Sequence, residues 1–180
     1  MKSNQIKPNQ DKVRHISGAL LDEMVCIIRS VSDEQDRDKA RRRSTDTLYC
    51  KICEDLFKLP EIICEYNDNA KELPLQSIEF YKDDEISYAM AFVFVDILIT
   101  CDLTGTGFGE KYDTLSTRTR MNFDGKTIRE ICYELSRRLP NCGINFLSDT
   151  MMREFVRDLW GLSAILKVDV YELIKRAANE

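Results

Sequence analysis

Two stretches late in the chain carry acids at helical spacing. "REICYELSRR", residues 129 to 138, sets Glu130 and Glu134 one turn apart, and "EFVRD" repeats the arrangement with Glu154 and Asp158. Carboxylates four residues apart share one side of a helix. Acids from neighbouring helices that converge on a groove suit Mg²⁺, which takes hard oxygen ligands and completes its shell with waters and substrate phosphates. The same spacing also serves as the wet side of an ordinary helix. Asp96 is an acid of another kind: it stands among Phe92, Val93, Val95, Ile97 and Leu98. Ionised in such surroundings it costs several kcal/mol unless it is paired, protonated or metal-bound.

Each residue of a helix advances by about 100°. Glu130 and Glu134 then fall opposite the apolar face of their helix, where Glu130 completes a capping box with Thr127 and Glu134 is in reach of Arg137 or Arg138. Glu154 and Asp158 fall on the shoulder of an apolar stripe, and Glu23 takes a similar shoulder on the first helix. For Asp96 the alternative to a metal is an arginine across a bundle or dimer interface. "CKIC", Cys50 to Cys53, has zinc-like spacing, but no second pair follows and the one histidine, His15, is far off in sequence. Reduced, buried thiols are the expected state of the seven cysteines.

The elements that position these residues read as helices. Ile16, Leu20, Met24, Ile27 and Val31 step by three and four, which predicts a helix from Val13 to Val31. "SDEQDRDKARRRST" reads as a solvated linker or a mobile polar helix turn. A second helix is expected to start near Asp46 as N-cap and to carry Leu48, Ile52, Leu56 and Leu59 as far as Pro60. Ile62, Ile63 and Tyr66 are a possible extension. "NDNAKELPLQ" is a connector. The run over 86–103 contains strand formers, but its length without Gly or Pro favours a helix buried on nearly all sides. "TGTGFGEKY" is a loop with no phosphate-binding fingerprint. Thr127 opens a helix that ends at Pro140. Another carries Phe155, Leu159, Leu162 and Leu166, and Asp169 with Glu172 opens the last.

At 180 residues the chain can hold one compact domain or two small helical units sharing a core. Seven Gly and four Pro are too few for an all-β sandwich. The fold class expected is all-α, a helical bundle. A net charge of −5 argues against a nucleic-acid coat. No apolar leader opens the sequence and no uncharged run reaches membrane-spanning length, so the reading is cytoplasmic, with no membrane partner and 1–10 as a flexible N-terminus.

The stretch "EFVRDLWGLSAILKVDVYELIKRAANE" resembles the last helices of the MazG-like, all-α nucleoside triphosphate pyrophosphohydrolases, in which an E-x-x-D helix, an aliphatic run, a short break and a closing helix follow one another. Asp158 matches the final aspartate of that pattern. Glu154 is displaced by one residue, with Phe155 at the glutamate position. Glu130 and Glu134 stand where the family's E-x-x-E pair would, four apart instead of three. Upstream, "SIEFYKDDE", "VFVDILITCDL" and "EKYDTLSTRTRMNFDGK" resemble the phage and plasmid branch, with Asp96 at the aspartate position, Val93 replacing the glutamate and Glu23 as the acid of the first helix.

The resemblance implies two related helical units, 11–122 and 124–180. An apolar helix over 86–103 is hard to cover on all sides within so small a domain, which predicts a homodimer or larger homo-oligomer built around it. The resemblance also implies Mg²⁺-dependent hydrolysis of a nucleoside triphosphate to monophosphate and pyrophosphate. In that chemistry Glu23, Asp96, Glu154 and Asp158 would hold metal and one of the acids, Glu154 or Asp158, would orient the attacking water. The rival is a non-catalytic helical protein that dimerises through the 86–103 helix or binds a protein or nucleotide partner. Convergence of the acids on one groove separates the two.

Overall fold

Local signals start and stop most of the helices. The computed structural model describes residues 16–31, 45–80, 83–139 and 149–179, and among them are seven α-helices and no strand. α1 (Gly18–Val31) opens with the Ser17 hydroxyl accepting from the Leu20 N–H. Ile16 is buried but precedes the helix, so the expected stripe starts two residues before the helical hydrogen bonds do. Val13, His15, the flexible N-terminus over 1–10, the linker over 32–44 and the expected stop at Pro140 lie outside the described residues.

α2 (Thr45–Tyr66) includes Asp46 inside its first turn, where a cap was expected, and continues past Pro60 through Ile62 and Ile63. Pro60 sits two turns before the end, and the apolar positions on both sides of it, Leu59 and Ile63, are fully buried. Packing of that face outweighs the proline's lost hydrogen bond. The connector after α2 folds into two short 3₁₀ turns, Asp68–Lys71 and Leu75–Ser77.

The ambiguous apolar run is helical. α3 (Asp84–Thr104) is capped by the Asp83 carboxylate, which accepts from the Ile86 N–H at 2.9 Å, and it ends on Gly105 at φ 73°. The glycine-rich segment after it is a loop that turns into a five-residue helix, α4 (Gly109–Asp113). α5 (Ile128–Arg138) carries the complete Thr127–Glu130 capping box. α6 (Asp149–Ile165) and α7 (Val170–Ala177) follow, with Asp169 accepting from the Glu172 N–H. Leu166 lies just beyond α6.

α3 is the hub: it packs against α2, α7, α1 and α6, while α2 also meets α5 and α5 meets α6. One apolar core joins Leu21, Leu56 and Phe94 with Ile131, Leu159 and Ile174, so it is shared by the ranges 11–122 and 124–180. The α1 end is clamped to the glycine loop. A Cβ on Gly18 would stand 1.9 Å from the Gly109 carbonyl oxygen, and the Gly18 N–H donates to Asp113. Asp22 accepts from the N–H groups of both Phe108 and Gly109, and Arg153 donates to the Gly107 carbonyl at 2.7 Å. Gly18 thus serves close backbone approach, Gly105 and Gly109 serve turns at positive φ, and a carboxylate the sequence did not single out holds the loop.

Candidate functional site

The six acids marked by spacing take six different partners or settings. Glu130 closes the capping box, its carboxylate accepting from the Thr127 N–H at 2.8 Å, and this bond holds its pKa below the usual carboxylate range. Glu134 pairs with Lys126 at 2.7 Å, whereas Arg137 or Arg138 was expected; Arg137 lies over the Tyr133 ring and Arg138 reaches Asp158. Glu23 is exposed and accepts from the Tyr171 hydroxyl at 2.8 Å, joining α1 to α7. Glu154 is half-buried on α6.

Asp158 is no shoulder residue. Only 2 % of it is exposed, because α6 is enclosed on nearly every side, with Met152, Phe155, Val156, Leu159 and Leu162 all buried around it. Its two oxygens are spoken for: Oδ1 accepts from the Met121 N–H at 3.0 Å, and Oδ2 pairs with Arg138 of α5. Arg157, equally interior, stands 3.9 Å away and donates to the Ser116 carbonyl. Burial raises the Asp158 pKa, with the Met121 N–H and both arginines acting against it. The cleft beside it, about 780 Å³, has Tyr112, Phe123 and Trp160 among its walls. Its inner polar groups are engaged in holding the 112–123 segment to α6.

Asp96 has a different surrounding. It lies on the side of α3 that faces α2, where Lys51 donates to both of its oxygens at 2.6 and 2.7 Å. Asp55, one turn further along α2, shares a hydrogen bond with it and is itself bound by Lys58. The partner the sequence expected to be an arginine is a lysine, and a second carboxylate comes with it. Burial, then the hydrogen bond with Asp55, pushes the Asp96 pKa up to about 6, although Lys51 opposes this. Burial works against the charge on Asp55 too, but Asp96, Lys58 and Lys51 together hold its pKa down. Above about pH 6 both acids are ionised with the Lys51 ammonium beside them, and as pH falls through that value the proton goes to Asp96 first.

These placements bear directly on the Mg²⁺ that the resemblance implies. Among the described residues no three His, Cys, Asp or Glu side chains come together to hold a metal ion. Glu23, Asp96, Glu154 and Asp158 each sit in separate hydrogen-bonding or packing environments, and where two acids meet, at Asp55 and Asp96, the Lys51 ammonium already stands beside both. The donor set of the described residues does not fit the metal. Cys50 and Cys53 lie within one turn of α2, and among the described residues they join no group of three or more metal-ligating side chains. Cys64, Cys101 and Cys132 are buried thiols, as expected, and burial pushes Cys101 up to about 12, but Cys26 and Cys50 are exposed on the outer sides of α1 and α2, where burial was expected.

The sequence marked the 86–103 helix for association but not which of its faces is open, and the structure leaves one side of α3 outermost. Tyr88 is 58 % and Phe92 62 % exposed, and Val95 and Ile99 are half-buried on the same side. Their steps of four, three and four confine them to an arc of about 60°. In a helix apolar all round, such a stripe has no polar face to reveal it. Only 44 % of the most apolar stretch of α3 is buried, and by length and composition this helix is also long enough to cross a membrane. Comparison with protein-family models, curated proteins and solved structures finds no match for this chain.

Proposed function

We propose that this chain works by association through the outer face of α3, and that it is a binding protein and not a catalyst. The observation that carries the reading is the exposure of Tyr88 and Phe92 in the N-terminal half of the hub helix, where an apolar residue facing water gains nothing for the monomer. Large aromatic side chains ringed by charge are the composition of an interface centre. Here the ring is formed by Lys51 with Asp96 on one shoulder and Arg29 with Asp102 on the other. The acids support the same reading, since Glu23, Asp96, Glu130, Glu134 and Asp158 each make a bond within the bundle and, among the described residues, no three acids gather to hold a metal.

Hydrolysis of a nucleoside triphosphate rests on the resemblance alone. The test is a pyrophosphate-release assay over a panel of canonical and modified nucleotides with Mg²⁺ and with EDTA, run beside light scattering of the wild-type chain and Phe92→Asp. No release and a particle mass above one chain that falls on replacement of Phe92 is the expected result. Mg²⁺-dependent turnover would overturn the proposal.

A further inference from the structure

The geometry points to a second copy of this chain as the occupant of the α3 face, paired antiparallel about a two-fold axis at the level of the Val93–Phe94 peptide. The inference rests on the association reading and names its partner.

Two features of the stripe select this arrangement. The first is shape. Going along α3, the two most exposed residues, Tyr88 and Phe92, come first, and the two half-buried aliphatics, Val95 and Ile99, come after. Turning one helix end for end about that axis sets Tyr88 over Ile99 of the other copy and Phe92 over Val95. A single register satisfies both contacts, so each protruding ring meets a recessed position. Parallel pairing sets ring on ring and leaves the recessed pair unfilled. Self-complementarity of one patch is what an isologous two-fold interface requires.

The second feature is charge. The first turn of α3 carries exposed Asp84 and Glu85, and its last turn carries no basic residue of its own. At that end α1 supplies Arg29, half-exposed and paired with Asp102. Antiparallel pairing brings the acidic end of each copy towards the Arg29 end of the other and opposes the helix dipoles. Parallel pairing juxtaposes like ends. The flanking ion pairs stay at the rim, where water still reaches them and dehydration costs little.

A charge exchange across the axis tests this, with dimer dissociation constants from sedimentation equilibrium and circular dichroism melts as the folding control. Tyr88→Glu and Ile99→Lys are each expected to weaken a wild-type dimer by about 100-fold. The double variant is expected to recover to within about tenfold of wild type, because each new glutamate then faces a new lysine of the other copy. Recovery supports the antiparallel pairing. A double variant weaker than either single means like faces like, and overturns it while leaving the association reading in place. A wild-type dimer indifferent to Phe92→Asp overturns both. A wild-type monomer overturns the second copy as partner. In that case, co-sedimentation with phosphatidylcholine vesicles, lost in Phe92→Asp, keeps the association reading, and no co-sedimentation removes it too.

Discussion

Asp96 and Asp158 both interrupt apolar stretches, yet the molecule treats them differently. Asp96 looks the more costly in sequence, with strand-like aliphatics on either side. It is Asp158 that goes inside: 2 % of its side chain is exposed against 12 % for Asp96. The reason lies in the helices that carry them. α6 is packed on nearly all sides, so its acid is enclosed and has to find donors within the fold, which Arg138 and the Met121 N–H provide. α3 leaves one face open, and Asp96 sits at its edge with a lysine whose own side chain is 44 % exposed. Burial of a charge is decided by the packing of its helix, and its neighbours in sequence are a poor guide to it.

The largest effect is expected where that enclosure is broken. Asp158→Asn keeps an acceptor for Met121 but removes the charge facing Arg138 and the interior Arg157, and should lower stability by about 3 kcal/mol in urea denaturation. A loss under about 1 kcal/mol would mean that solvent reaches this acid as freely as it reaches Asp96.

A smaller loss should follow from disturbing the wall that aims Met121 at Asp158. A Cβ on Gly161 would come within 2.9 Å of the edge of the Phe123 ring, which has to shift. Gly161→Ala is expected to cost about 1–2 kcal/mol by the same measurement. A neutral result would show that the 121–123 segment repacks without the Asp158 bond.

The smallest change belongs to Asp96. Asp96→Asn removes the repulsion between two carboxylates and leaves an exposed-side lysine near Asp55, so stability at pH 7.5 should stay within about 1 kcal/mol of wild type or rise. The pH dependence sharpens the contrast. With a folded pKa of about 6 and an unfolded value of about 3.9, Asp96 holds its proton in the native state and releases it in the unfolded one. Its contribution is therefore full at low pH and fades as pH rises from about 4 to about 6. Asp55, whose pKa is lowered, contributes in the opposite sense, above its ordinary pKa and not below it. Wild-type melts should lose a modest increment between pH 4.5 and 7 that Asp96→Asn lacks. An identical pH profile for the two proteins would sink this account of Asp96.

Much of the scaffold was legible because its signals are local. The stripe of α1, the Thr127–Glu130 box and the Asp169 cap act over three or four residues, within one turn of backbone, and the structure keeps each of them. The site was less legible. Asp22 reaches across more than eighty residues to the glycine loop, Lys51 across forty-five to Asp96, and Arg138 across twenty to Asp158, and no spacing rule spans such gaps.

The sequence by itself determined that the chain is helical and where most helices begin and end, since hydrogen bonding within a turn and the period of apolar residues decide both. Only the tertiary structure decided which acids meet which cations, and which arc of the uniformly apolar α3 is left facing outwards. A helix apolar on every side carries no moment to orient it. The packing of α1, α2, α6 and α7 around it chose the face, and left Tyr88 and Phe92 for a partner to cover.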